Sequence, residues 1–392
     1  MNLLFVTEIE PFPPSGGEKL RSFGLLKLLS ELKLNVHAII GNSSQNNSFY
    51  SDFKGISFHP FNFCYEWDYD KIRSIGKIKW GLRRFIRDKE LVSLIDNILL
   101  QNKIDVVFID YYFYGQYIGI FRKRKIPVIY GTHNAQARLI NQRPADTFKE
   151  RIIRFRDFLL NRLHEVYYFR KADALIVVSD PDKKYHRTFI RKDKIFVIPN
   201  FLIASEYDSH IEGKEHYILM AANFWAYQNA IGLEWFLREI WDQELWNRTQ
   251  LLIVGIGSQE LFDKRLKGNF NLTNVNIIGE VDNLKPYVAK ALVSIVPLLH
   301  GSGSRLKCLE SMILRTQLVS TSKGAEGIEH ENSIVIADTP GEFKKALLDV
   351  LDGKINSTEN AYRTCIKKYS LSPNKGIFVE ILQRFSVKTK SK

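Results

Sequence analysis

The sequence predicts an α/β protein made of two Rossmann-like domains in succession. Two observations carry that expectation. Short β-branched runs alternate with amphipathic stretches through the first half, and the alternation restarts after residue 215, as expected for βαβ units building two parallel sheets. In addition, the apolar run Ala291 to Leu299 ends in a glycine-containing turn, His300-Gly-Ser-Gly-Ser304, that opens a helix. A buried parallel strand turning outward into a helix is where α/β proteins bind phosphates.

The first set of strands is expected at Asn2–Ile9, Asn35–Ile40, Ile56–Phe63, Ile104–Asp110, Pro127–His133, Ala174–Ser179 and Lys194–Pro199. Helices fall between them, at Glu18–Leu32, Leu91–Gln101 and Lys149–Lys171. The second set is Tyr217–Ala221, Gln250–Val254, Val275–Ile278, Val293–Leu298, Gln317–Ser320 and Ile334–Ile336. Ile198-Pro199-Asn200 closes the first set and a polar stretch follows, so the expected domains are 1–205 and 206–370. Residues 371–392 form the tail, in which Ile377, Ile381, Leu382 and Phe385 mark an amphipathic helix. The aromatic residues Phe155, Phe158, Tyr167 and Tyr168 are spaced for core packing. Tyr111 to Tyr114 follows a strand end, where burial competes with lining an acceptor cleft.

Around the turn at Gly301 the residue types converge on a nucleotide diphosphate. Gly301 and Gly303 allow close backbone approach, Ser302 offers its amide, and Ser304 is suited to cap the helix whose first turn carries partial positive charge. Arg305 and Lys307 add two full charges. Glu310 lies roughly 9 Å further along the helix, placed to accept hydrogen bonds from a ribose. A tight turn with a solvated Arg-x-Lys face is the competing structural reading.

The segment Gly301 to Gly327, GSGSRLKCLESMILRTQLVSTSKGAEG, resembles the donor-site signature of retaining glycosyltransferases of family 4, the group 1 type. Weaker likeness extends over Gly16–Arg21, Thr132–Asn134 and Gly279–Tyr287. The resemblance implies a GT-B fold, with two Rossmann-like domains facing across a cleft and a C-terminal helix crossing back to the first domain. It implies that Glu310 holds the donor ribose and that Arg305 and Lys307 neutralise the diphosphate. It gives Gly16 and Gly17 contact with the donor phosphate and sugar, sets Lys19 and Arg21 toward the acceptor, and has His133 touch the transferred sugar. His133, Arg305 and Lys307 are thus the expected catalytic residues.

Two departures mark the chain. Ser302 stands where many members carry an acidic residue, leaving the sugar to backbone amides from Gly301 to Ser304. Asn223 and Asn229 stand roughly where the family places an arginine and a lysine, so Asn223 joins the expected substrate-binding set.

Net charge is +13, and residues 1–200 hold 33 Lys+Arg against 21 Asp+Glu, leaving 23 against 22 for the rest. The basic surplus belongs to the first domain. Within it, Lys71–Glu90 holds eight basic residues against two acidic, with apolar residues at helical spacing and Trp80 as an interfacial anchor. An anionic membrane surface and a surface helix with a solvated basic face are both open for it. No recognised nucleic-acid module accompanies the charge, so nucleic acid is not an expected partner.

Three cysteines, Cys64, Cys308 and Cys365, are too few and too scattered for a disulfide framework or a zinc cluster. The Asp-x-Asp pairs at Asp68 and Asp180 are unconvincing as metal sites, so no metal and no cofactor are expected. No run of 18 apolar residues occurs. The expected location is the cytoplasm, peripheral on the inner face of the plasma membrane. The expected function is transfer of a sugar from a nucleotide-diphosphate sugar to a lipid-linked or glycan acceptor. A nucleotide-sugar epimerase on the same fold and a catalytically silent nucleotide-sugar-binding partner remain the alternatives.

Overall fold

The computed structural model describes residues 1–14, 16–41, 47–63, 85, 87–142, 145, 147–207, 213–301 and 305–386. Ser302, Gly303, Ser304, Cys64, Asp68, Asp70 and, of Lys71–Glu90, residues 71–84 and 86 lie outside the described residues. The chain divides into two compact units. One holds Met1–Pro14, Glu18–Pro199 and Lys375–Lys392; the other holds Ser15–Gly17 and Asn200–Asn374.

The first unit is built on seven parallel strands: β1 Asn2–Val6, β2 Asn35–Gly41, β3 Ile56–Phe61, β4 Val106–Asp110, β5 Val128–Gly131, β6 Ala174–Val177 and β7 Ile195–Val197. Their order is β3-β2-β1-β4-β5-β6-β7. The strand reversal lies between β1 and β4, where Val6 pairs with Ile109. Residues such as Leu3, Phe5, Val107, Phe108 and Tyr130 are fully buried. Strands covered by helices on both faces read as continuous apolar runs for this reason.

The second unit repeats the plan with β8 Glu215–Ala221, β9 Gln250–Val254, β10 Val275–Gly279, β11 Ala291–Val296, β12 Gln317–Ser320 and β13 Val335–Ile336, in the order β10-β9-β8-β11-β12-β13. Here the reversal lies between β8 and β11, where Val293 pairs with Ile218. All thirteen expected strands form. In doubly wound sheets the crevice beyond the carboxyl ends of the strands at such a reversal is the ligand site.

The tail forms the helix Leu371–Ser386. Phe378, fully buried, meets Phe108 at 5.5 Å between ring centres. Arg384 Nη1 donates to the Asp193 carbonyl at 2.9 Å, and Lys375 pairs with Glu31 at 3.1 Å.

The expected helix Lys149–Lys171 needs two corrections. It begins at Phe148 with a capping box, Thr147 bonding the Glu150 amide and Glu150 returning to the Thr147 amide, and its α-helical part ends at His164. A wider π turn, Glu165–Phe169, then follows. That turn lets Tyr168 and Phe169 join the core after the already buried His164. The second correction concerns Phe155 and Tyr167, expected in the core, which are 62% and 56% exposed. The inward face is occupied instead by Asn161, His164 and Tyr168.

Candidate active site

In the second unit, β11 leads to Gly301 at its carboxyl end, beside the strand reversal. Gly301 adopts a φ of +134, and a β-carbon there would collide with the Arg305 guanidinium. The φ by itself favours glycine, since the guanidinium is the far end of a flexible side chain and can yield. The following helix runs Leu306–Ile313, so the N-cap is Arg305 and not Ser304; Arg305 is in extended conformation and its side chain makes no capping bond. The guanidinium is thereby left beside Gly301.

Lys307 and Glu310 are three residues apart on that helix and so share a face. Lys307 Nζ donates to Asn229 Oδ1 at 2.9 Å, and Asn229 Nδ2 donates to the Asn223 carbonyl at 2.7 Å. This chain of bonds ties the lysine to the loop after β8. Burial, helped by the neighbouring Arg305, pulls the Lys307 ammonium down to about 8. Burial also pushes the Glu310 carboxyl up to about 7, against the opposing pull of Tyr207, Lys285 and Lys307. Tyr207 Oη donates to Glu310 Oε1 at 3.3 Å. A small cavity under the helix is bordered by Ala221, Ser294, Val296, Lys307 and Glu310.

Asn223 is exposed; its Oδ1 accepts from the Trp225 amide at 3.0 Å. That local turn stabilises the loop, and the anchoring of the lysine falls to Asn229. Gly16, grouped with the second unit, is exposed with a φ of +81, and Gly17 starts the helix Gly17–Glu31.

In the first unit the charged centre is Asp110, which ends β4 beside the strand reversal and is wholly buried. His133, two residues past β5, brings Nε2 to 3.2 Å from Asp110 Oδ2. Arg21 Nε lies 3.8 Å from Asp110 Oδ1, and Ser22 Oγ donates to Oδ2 at 3.3 Å. Burial alone would raise the Asp110 carboxyl, yet His133, Arg21 and Ser22 together hold it below the usual carboxylate range. Tyr111 sets its ring edge-on against His133 at 5.4 Å.

This arrangement gives Arg21 a structural role. Its side chain is only 2% exposed, and Nη1 donates to the Ile198 carbonyl at 3.4 Å. Arg21 therefore braces Asp110. Lys19 stays partly exposed, 3.7 Å from Glu10. Tyr112 and Tyr114 are buried, with Tyr114 Oη donating to Glu8 at 2.6 Å, so packing wins over cleft lining for both.

Asp110, Ser22 and Tyr207 were missing from the sequence reading. Asp110 had a visible signal, a lone carboxylate closing the apolar run VVFID. Tyr207 had none, since nothing in its own segment announces Glu310. Asp180 and Asp182 start a helix capped by Ser179, as their spacing suggested. Among the described residues no group of three or more metal-ligating side chains occurs. The described cysteines, Cys308 and Cys365, are buried, with both thiols pushed up to about 12 by burial.

Comparison with known proteins places this geometry. Residues 215–353 match the family described as glycosyl transferases group 1, and residues 49–205 match glycosyltransferase family 4. No curated protein matches the chain by sequence. Among solved structures, HepE of Anabaena in complex with UDP and glucose aligns at 14% identity and a TM-score of 0.66, over 98% of this chain and 100% of its own. An E. coli trehalose-6-phosphate structure bound with UDP-2-fluoro glucose aligns at 15% identity and 0.68, over 97% and 99%. A glycosyltransferase from Rickettsia africae aligns at 14% and 0.65, over 98% of both chains. At such identities the structures speak for the fold, while the two family matches, one on each unit, speak for the activity. The chain belongs to the group 1 glycosyltransferases and has their GT-B fold.

Proposed function

We propose that this glycosyltransferase moves a sugar from a nucleotide-diphosphate sugar to a lipid-linked or polysaccharide acceptor, with retention of anomeric configuration. The observation that carries the donor half is the Lys307–Glu310 pair, one cation and one carboxylate on one helix face beside the strand reversal of the second sheet. Arg305 and Lys307 meet the diphosphate and Glu310 the ribose, with amides from Gly301 to Ser304 left for the sugar. The neighbours solved with UDP or a UDP-sugar make uracil the first base to test.

In the transfer step the acceptor hydroxyl oxygen bonds to the anomeric carbon as the bond from that carbon to the β-phosphate oxygen breaks. The proton passes from the acceptor to the departing phosphate oxygen, on the same face of the sugar. Charge accumulates on the leaving diphosphate, and the work of the site is to stabilise that anion. Two cationic side chains supply it, so the reaction proceeds without a metal or other cofactor. His133 orients the sugar, and Asp110 fixes the ring of His133. The basic segment Lys71–Glu90 brings the protein to the inner face of an anionic membrane, where a lipid-linked acceptor resides.

A thermal-shift screen with UDP, GDP, ADP and their sugar conjugates tests the donor assignment. The correct nucleotide at 100 times its dissociation constant stabilises the fold by about 2.7 kcal/mol. With that donor and excess chelator, transfer persists and the product keeps the donor's anomeric configuration by NMR. An inverted product overturns the retaining reading. A chain that binds nucleotide sugar yet neither transfers nor hydrolyses it is the silent partner instead.

A further inference from the structure

The outward face of the helix Phe148–His164 carries side chains that water disfavours. Phe148 is 79% exposed, Ile152 53%, Phe155 62%, Leu159 41% and Leu163 59%. Steps of four, three, four and four residues keep all five within one stripe, about 22 Å long. Tyr167, 56% exposed, continues it within the π turn. The opposite face is already committed to the core: Asn161 and His164 are buried, and His164 packs its ring against Tyr112, Tyr168 and Phe169. The helix is therefore seated by one face and offers a second apolar face outward. Single exposed apolar residues are ordinary; an aligned row of this length is not.

Charge decides what fits against it. Residues 148–171 hold seven Lys+Arg against three Asp+Glu, and the first 200 residues carry the protein's basic surplus. A complementary surface is apolar within and anionic at its edge. A second copy of this chain would bring the same positive charge. So would the basic stretch at 64–84; Phe85, which follows it in sequence, packs against His164 and Tyr168.

We propose that the outward face of the Phe148–His164 helix docks the protein on an anionic lipid bilayer. The helix lies in the interfacial plane, with the stripe from Phe148 to Leu163 entering about 5–10 Å and the basic side chains at headgroup level. This deepens the membrane reading above by naming a surface that reading did not use, and it stands on exposure and charge within one helix.

Vesicle co-sedimentation tests it, with phosphatidylcholine alone and with about one third phosphatidylglycerol added. The unaltered chain binds the anionic vesicles at least about tenfold better, and the binding weakens with salt. The triple variant Phe148→Ser, Phe155→Ser, Leu163→Ser loses about tenfold or more, from about 0.8 kcal/mol per buried methylene withdrawn. Its melting temperature and its transfer to a soluble acceptor stay at the level of the unaltered chain, because the replaced side chains are exposed; the single change Phe155→Asp gives a milder loss. A parallel variant neutralises Lys77, Lys79, Arg83 and Arg84. If the serine variant binds as the unaltered chain does while the neutralised one does not, the docking proposal falls and the membrane reading survives. Failure of the unaltered chain to bind either vesicle overturns both. Vesicle binding untouched by the serine substitutions, with a dimer in solution that they break, makes the stripe a contact between copies and overturns the proposal.

Discussion

Asp110 and Glu310 are carboxylates beside the strand reversals of two sheets with the same strand order, and their surroundings drive them in opposite directions. Asp110 is wholly buried, yet His133, Arg21 and Ser22 hold it ionised, below the usual carboxylate range. Glu310 has a tyrosine and two more distant lysines, and burial pushes it up to about 7. Near it, Lys307 is pulled down to about 8. The first cluster is electrostatically complete. The second holds both its charges under strain, which the diphosphate and ribose of the proposed donor would relieve, because each favours the charged form of its partner. On the proposed reading, one centre holds a side chain still and the other receives a ligand.

The largest break in this comparison is removal of the strained cations. Lys307→Gln keeps a polar group within reach of Asn229 but removes the charge, and transfer should fall about 100- to 1,000-fold, the usual cost of losing one group that stabilises a departing anion. Arg305→Gln should cost a similar factor, with the double variant below detection. Initial rates with a soluble acceptor measure it. Transfer left intact by both changes removes the donor site from this helix.

A smaller effect is expected at the complete centre. Asp110→Asn removes the charge that holds His133, and kcat should fall about 10- to 100-fold, the range known for partners that orient a functional histidine. Nucleotide affinity should not move, since the partners of Asp110, His133, Arg21 and Ser22, belong to the first unit. Some loss of melting temperature is also expected, because Arg21 is left buried without its counter-ion. Ser22→Ala, which deletes one hydrogen bond and no charge, separates the two outcomes: it should soften the fold slightly while leaving most of the activity. A fall in nucleotide affinity equal to the fall in kcat would undo the contrast between the centres.

How far each centre was legible follows from where its partners lie in the chain. Arg305, Lys307 and Glu310 lie within six residues, at the N-cap and in the first turns of one helix, so spacing alone placed them together. Asp110 is completed by residues 23 and 88 positions away, and no local pattern links them. The strands were legible because parallel strands buried on both faces are continuous apolar runs bounded by turns. The same rule failed at Phe155. Periodicity locates an apolar stripe but not its direction, and here the core takes a histidine and an asparagine while phenylalanine and leucine face out. Arg21 is a different case: it lies in a loop-to-helix segment that suggested a ligand, and its charge is paired with a carboxylate invisible from its own segment.

The finest test of the comparison is the pH dependence of nucleotide affinity, read by calorimetry with UDP. Glu310 accepts from a ribose only as carboxylate, so affinity should decline as pH falls below about 7, where the buried carboxyl takes up its proton. Lys307 attracts a diphosphate only as ammonium, so affinity should decline again as pH rises above about 8. The optimum lies between, and one pH unit beyond either limit costs at most about tenfold. The acid limb has a rival cause in the phosphate of UDP itself, which gains a proton near pH 6. Glu310→Gln separates them, since it lowers affinity at pH 7.5 and flattens the limb between about 7 and 6 if Glu310 is responsible. Lys307→Arg should push the basic limb beyond the accessible range, because a guanidinium keeps its charge. Asp110→Asn should leave both limbs in place, since Asp110 is already ionised throughout that range. A profile that Asp110→Asn shifts and the two helix substitutions do not would mean that the titrating centre is the first one, and the division of roles would be reversed.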